Sequence, residues 1–300
     1  YYEMNNRPAI YKLKNGGIWR PLNCKPTKRI IVIIPMRRRE SNLYNMLGFL
    51  IKNFQAQLHQ FRIFVVEQEG ESGSEWNKGK VWNAGILQIY KEIDTKNWDC
   101  LLYHDVDQIL LDQRLDYSCD DKNPIFLAQK KWIWNERQNK TTLRQQSFGC
   151  VSTTSIDMLN IVNGYSNEFW GWGGEDDDIL RRLQAMGYNK IKRQTNSKNN
   201  WFDIDHGITK IEENNLDHPA ERIFFSHSAA DRITTDGFNS LTSCLIFRKV
   251  TPLFVHYKFD LGFNREKPDP EDWPGCASRV FEIEDDLEKW LREVVEPVKS

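Results

Sequence analysis

The stretch R-I-I-V-I-I-P, Arg29 to Pro35, is a β-branched run with no polar position between its ends. Without alternation it predicts a strand buried on both faces, as in a parallel sheet covered by helices. Just downstream, Ser41 stands as the N-cap of a helix with Leu43, Met46, Leu47 and Leu50 at helical spacing. Phe61–Val66 reads as a second strand, Lys78 to Ile93 as a helix, and D-C-L-L-Y-H, Asp99 to His104, as a third strand. The order β-α-β-α-β predicts an α/β three-layer sandwich around a mainly parallel sheet. Upstream, residues 1–28 are polar and marked by Gly16-Gly17 and Pro21, so they are expected as a lead-in segment.

Later elements are shorter. Ile125–Ala128 and Phe148–Thr153 are expected as strands and Ser155–Asn163 as a helix. A helix from about Asp176 to Met186 puts Ile179, Leu180, Leu183 and Met186 on one face and stops at Gly187. In the tail, Leu287, Trp290, Leu291 and Val294 fall at i, i+3, i+4 and i+7, an amphipathic helix ended by Pro297 and expected to pack on the domain.

Composition excludes several classes. Forty per cent hydrophobic residues rule out a disordered chain. Lys+Arg 41 against Asp+Glu 42 argues against nucleic-acid binding driven by charge. No apolar run approaches the roughly 18 residues of a membrane helix, so no membrane segment is expected in this chain. Six Cys without C-x-x-C spacing make neither a disulfide scaffold nor a zinc site. Asn139-Lys-Thr is a glycosylation sequon, meaningful for a chain in the secretory pathway.

Two constellations carry chemistry. H-D-V-D, His104 to Asp107, follows the third strand directly, and ligand sites in open α/β sheets lie beyond the carboxyl ends of strands. Paired carboxylates there suit a hard divalent cation that clamps a diphosphate, though most D-x-D pairs are solvated loops. N-G-Y-S-N-E-F-W-G-W-G-G-E-D-D-D, Asn163 to Asp178, joins a Gly/Trp loop to acids at a helix start, where the macrodipole stabilises carboxylates. The bland reading is a helix cap with core tryptophans.

W-G-W-G-G-E-D-D-D, Trp170 to Asp178, resembles the signature of the β-1,4-galactosyltransferase family. Other family-like segments follow in family order: G-G-I-W-R-P-L-N-C (Gly16–Cys24), I-I-P-M-R-R-R (Ile33–Arg39), W-N-K-G-K (Trp76–Lys80), D-V-D (Asp105–Asp107), S-F-G-C-V-S (Ser147–Ser152) and D-G-F-N-S-L (Asp236–Leu241). The resemblance covers roughly residues 16–260. It implies a GT-A (Rossmann-like) fold with a mainly parallel mixed sheet, and an inverting transferase that uses a UDP-sugar and Mn²⁺, with Mg²⁺ as alternative. The expected organisation is a lead-in over residues 1–28, a catalytic domain over 29–262 and a C-terminal extension over 263–300.

By the same resemblance Pro35, Arg37 and Arg39 hold the nucleotide, while Trp76, Lys78 and Asp105 meet the donor. Asp107 ligates the metal, and Trp172 closes on the donor and shapes the acceptor site. Gly174, Glu175, Asp176 and Asp177 form the acceptor side, with Asp176 as catalytic base beside Glu175. Cys100 and Cys119 bracket D-V-D as a family disulfide does, and Cys24 matches a family cysteine with no evident partner.

Departures from the family pattern matter. In F-D-I-D-H, Phe202 to His206, His206 fits the family's metal-binding histidine, and Asp203 stands where a Met is usual, with Asp205 a rival. An oxygen ligand suits Mn²⁺ or Mg²⁺ better than a thioether. Ser147 replaces a Tyr of galactose-transferring members and leaves space for an N-acetyl group. Lys78 replaces an Arg and lacks its fork of donors. Cys150 replaces a Gly.

The expected activity is inverting β-1,4 transfer of galactose or N-acetylgalactosamine to a terminal sugar hydroxyl, such as that of N-acetylglucosamine, on a glycoprotein, glycolipid or free sugar. UDP-glucose and UDP-N-acetylglucosamine are alternative donors. The Golgi lumen is the compartment the resemblance implies. A silent sugar-binding module would keep the tryptophan loop without the ligands and base. A metal-dependent nuclease or phosphohydrolase would use the acids, but the near-neutral charge and Trp-rich loop disfavour it.

Overall fold

The computed structural model describes residues 13–70, 75–112, 115–128, 130–135, 140–145, 148–171, 173–193, 201–203, 225–262, 276 and 282–284. Its centre is the strand read from the β-branched run. Strand β2 (Arg29–Met36) lies between β3 (Gln60–Gln68) and β4 (Cys100–His104), parallel to both. Ile30 to Ile34 have no exposed surface at all. Such a strand needs cover on both faces, and two helices supply it. Phe54 of α1 (Glu40–Ala56) lies 5.1 Å from Phe61 of β3, while Gly85 of α2 (Lys78–Glu92) sits against Val66. Positions 61 and 66 point to opposite faces of the pleat, so α1 and α2 form the outer layers. A Cβ on Gly85 would fall 2.4 Å from a Val66 methyl, so only glycine lets α2 close on the sheet.

The helix α1 starts at Glu40, and Arg39 rather than Ser41 takes the N-cap position, without a capping side chain. The chain leaves β2 through Arg38 in the left-handed region (φ 54°) and reaches helical geometry two residues early. The carboxylate of Glu40 in the first turn suits the helix dipole.

Around this centre the described strands order as β10-β6-β9-β4-β2-β3-β13-β12-β14. The added members are β6 (Ile125–Phe126), β9 (Val151–Thr154), β10 (Lys192–Arg193), β12 (Cys244–Val250), β13 (Val255–Asp260) and β14 (Glu282–Glu284). Strand β13 runs parallel to β3, and β9 antiparallel to β4 and β6. The sheet is therefore mixed, with a parallel centre. Part of the expected lead-in belongs to it: β1 (Ile18–Trp19) pairs antiparallel with β3, and Trp19 stacks on Phe61. The 263–300 extension also joins it, through β14 on β12 and a Cys244–Cys276 disulfide. The amphipathic tail helix around Leu287–Val294 lies outside the described residues.

A second sheet orders as β5 (Gln108–Leu110), β11 (Trp201–Asp203), β7 (Lys130–Asn135), β8 (Lys140–Gln145). Helices α3 (Ile156–Ile161), α4 (Glu175–Ala185) and α5 (Ala229–Arg232) follow among the described elements. Ser155 caps α3 as its sequence suggests. In α4, Ile179 and Leu183 are buried, but Met186 is 45% exposed. It lies at the C-cap, where the chain turns through Gly187 (φ 92°) and the side chain leaves the core face. Among the described residues no helix is long and apolar enough to cross a membrane.

Candidate active site

The parallel strands end together, and their ends carry the residues in question. Pro35 is buried in β2, level with Val66 of β3. Just beyond it, the Arg37 guanidinium lies 5.7 Å from the centre of the Trp76 ring. Arg39 reaches Asp107, Nη1 to Oδ2, at 3.8 Å. The strand β4 ends at His104, whose Nδ1 meets the Asp105 carbonyl at 2.8 Å. Burial lowers this imidazole's pKa to about 4, so it is a neutral support, stacked with Tyr117.

Lys78 is the hub. It stands in the first turn of α2, capped by Asn77, whose side chain accepts from the Lys80 N–H. Its ammonium lies 3.2 Å from Asp105 Oδ1, 3.4 Å from both Asp176 oxygens and 3.8 Å from Glu175 Oε1. It also sits 4.7 Å from the centre of the Trp82 ring. Burial opposes its charge, but Asp105, Asp176 and Glu175 outweigh burial and hold its pKa well above the ordinary lysine value.

Asp176 and Glu175 open α4. Gly174 precedes them at φ 93°, a left-handed geometry that glycine takes without strain. Burial pushes the Asp176 carboxyl up to about 8; Lys78 opposes this, and Glu175 and Asp105 add to it. The carboxylate rests on Gly149, where a Cβ would fall 2.1 Å from Asp176 Oδ2. Asp177 is half-buried in the same helical turn. Next to Gly149, Cys150 has φ 35°, so the backbone keeps a geometry that a glycine would favour, and its carbonyl accepts from the Asp105 N–H at 2.8 Å.

Asp107 accepts from Gln108 Nε2 at 3.0 Å. The antiparallel pairing of β11 with β5 sets Asp203 opposite Gln108, the residue that follows Asp107, and Asp203 is 9% exposed. Among the described residues no group of three His, Cys, Asp or Glu is gathered for a metal. His206, Asp205, Trp172 and Ser147 lie outside the described residues.

Sequence reading gave Lys78 a donor contact and missed its central place, because its three acids come from separate segments. It also left D-G-F-N-S-L without a role. Asp236 of that segment is buried and accepts from Ser166 Oγ, the Asn167 N–H, Arg182 and Arg232. Both arginines also bond Asp178 on α4. Cys100 and Cys119 are disulfide-bonded, and Cys24 is a free exposed thiol. The Cys244–Cys276 bond has no signal in spacing.

Comparison with known proteins points to one family for this chain. The N-terminal region of glycosyl transferase group 7 matches residues 2–120, and the N-terminal domain of galactosyltransferase matches residues 135–207. β-1,4-Galactosyltransferase 3 of Homo sapiens is 32% identical over 276 residues, covering 91% of this chain and 67% of the relative. The Mus musculus protein matches at the same identity, with 66% of its length covered. This chain thus spans about two thirds of these relatives. Among solved structures, the catalytic domain of Drosophila β-1,4-galactosyltransferase 7 with xylobiose superposes with a TM-score of 0.57 at 18% identity, covering 78% of this chain and 94% of that one. A variant of that enzyme with manganese, UDP-Gal and xylobiose gives 0.60. These two likenesses show the GT-A fold, and the sequence relatives show the family. The chain belongs to the β-1,4-galactosyltransferase family.

Proposed function

We propose that the chain transfers galactose or N-acetylgalactosamine from a UDP-sugar to a terminal sugar hydroxyl, with inversion. The observation that carries this is the gathering of Asp105, Glu175 and Asp176 on Lys78, at the strand ends that also present Arg37, Trp76 and Asp107. Arg37 and Trp76, with Pro35 and Arg39, make the nucleotide side, and Asp105 and Lys78 the donor-sugar side. Asp176, Asp177, Gly174 and Trp172 make the acceptor side.

Asp176 takes the acceptor proton. A buried carboxylate with a raised pKa is a stronger base than an ordinary one. As the hydroxyl oxygen bonds the anomeric carbon, the bond from that carbon to the diphosphate breaks and UDP leaves. One base suffices, and no covalent sugar–enzyme bond is required. Glu175 and Lys78 fix the orientation of Asp176.

The donor set suits a hard divalent ion in its chemistry: Asp107 follows β4, and Asp203, a second carboxylate, is paired opposite the next residue, Gln108. They would hold it with His206, as Mn²⁺ or Mg²⁺. When bound, the ion offsets charge on the departing diphosphate. The Drosophila relative carries manganese, UDP-Gal and a xylobiose acceptor, which supports a sugar acceptor here. Ser147 in place of a tyrosine supports N-acetylgalactosamine as a donor sugar. Two disulfides suit an oxidising compartment, in keeping with the Golgi lumen.

The test is a panel of UDP-sugars with N-acetylglucosamine and Mn²⁺. UDP release should require UDP-galactose or UDP-N-acetylgalactosamine, and Asp107→Asn should lower it by about 10²-fold. No UDP-sugar turnover under any donor and metal would overturn the reading.

A further inference from the structure

Lys78 and Asp176 belong to different helices, α2 and α4. A two-residue piece of loop, Ser166-Asn167, is bonded to α2 and to Asp236, which bonds α4. Every polar group of Asn167 is used. Its N–H donates to Asp236 Oδ1 at 2.8 Å, and its side-chain amide donates to the Gly237 carbonyl at 2.7 Å and Ser240 Oγ at 3.1 Å. Its side-chain oxygen accepts from Asn83 Nδ2 at 3.0 Å, and its carbonyl accepts from Asn77 Nδ2 at 2.8 Å.

Asn77 and Asn83 flank Lys78 on α2, and Asn77 is that helix's cap. Between them, Gly79 lies flat on the loop, since a Cβ there would fall 2.6 Å from the Ser166 carbonyl. On the other side, Asp236 accepts from Arg182 Nη2 at 2.9 Å, and Arg182 Nε donates to Asp178 at 2.6 Å. Asp178 is two residues beyond Asp176 on α4. Asn167 is thus bonded directly to the helix that carries Lys78, and through Asp236 to the helix that carries Asp176. It is 5% exposed, and buried amide bonds of this kind are costly to break and hold geometry well.

We infer that Asn167 is a positioning residue: it sets the separation of Lys78 from Asp176, and so the aim of the base, without touching substrate. The inference rests on Asp176 being the base. Catalysis is sensitive at this level, since a misplacement of about 1 Å from a remote change can cost about 10²-fold in rate.

The test is Asn167→Ala, assayed with UDP-galactose and UDP-N-acetylgalactosamine, N-acetylglucosamine and Mn²⁺, in the parent and in an Asp176→Asn background. In the parent background kcat should fall about 10²-fold with the donor KM little changed. In the Asp176→Asn background the same substitution should leave the residual rate unchanged, because the group it aims is gone. A purely structural residue would lower both backgrounds by the same factor, and that additivity, or an unaltered kcat, overturns the proposal. Gly79→Ala, which pushes the Ser166 carbonyl from the α2 side, should give the same non-additive pattern and serves if Asn167→Ala does not fold; additive losses from it overturn the proposal equally. A parent that turns over no UDP-sugar overturns the functional reading and this inference together, whereas an active parent with additive losses overturns this inference alone.

Discussion

Asp176 is held between opposing influences: burial and two neighbouring acids favour its proton, and Lys78 favours its charge. Burial prevails, so the folded chain keeps a proton that the unfolded chain releases above the ordinary value of 3.8. Stability therefore falls as pH rises from about 4 towards 8. Asp176→Asn lacks this slope. Unfolding midpoints in urea should make the variant more stable than its parent near pH 8 and equal to it near pH 4, and parallel curves would remove the raised carboxyl. A second test at this scale is Gly149→Ala. The added methyl would meet the Asp176 carboxylate, and φ 136° disfavours a side chain. Steady-state kinetics should show kcat reduced about 10²-fold; an unchanged kcat would mean that the carboxylate is not seated there. None of this was legible in the sequence, which shows G-C as a departure from a family pair but not what lies against it.

At the scale of elements, legibility followed periodicity. The β2 run, α2 and the apolar face of α4 could be read because burial on a helix or strand repeats with the element. Ser41 and Met186 could not, since both stand at helix ends, where the path of the chain decides which residue caps. The network beneath α4 was silent for another reason. Asp178 and Arg182 look like a surface i,i+4 pair, yet Arg182 and the Asp178 side chain have no exposed surface. Only the fold brings Asp236 and Arg232 to them. Truncating one member leaves buried carboxylates short of a partner, so Arg182→Met should cost about 3–5 kcal/mol. Chemical denaturation measures it, and a loss under about 1 kcal/mol, the value of an exposed pair, would place Arg182 at the surface instead.

Over the whole molecule, the site depends on two sheets meeting at one edge, with D-V-D at the end of the large sheet and Asp203 on the small one. The two disulfides stand differently to that edge. Cys100 is the first residue of β4, and Cys119 closes the segment whose Tyr117 stacks on His104 and contacts Trp201. This bond ties the start of β4 to the segment whose Tyr117 packs on His104, next to Asp105, and on Trp201 of β11. Cys244 and Cys276 instead fasten the C-terminal extension to β12, on the far side of β13 from that edge. Their loops, 19 and 32 residues apart in sequence, are of similar closure entropy, about 3–4 kcal/mol each in the chain-entropy view. Stability alone would not tell them apart, but activity should. Cys276→Ser should lower the thermal midpoint and leave kcat at 25 °C near the parent value. Cys119→Ser should lower the midpoint by a similar amount and reduce kcat as well, because the carboxylates lose their support. Equal kcat in the two folded variants would mean that the aromatic packing alone holds D-V-D in place, and that the bracketing disulfide serves stability only.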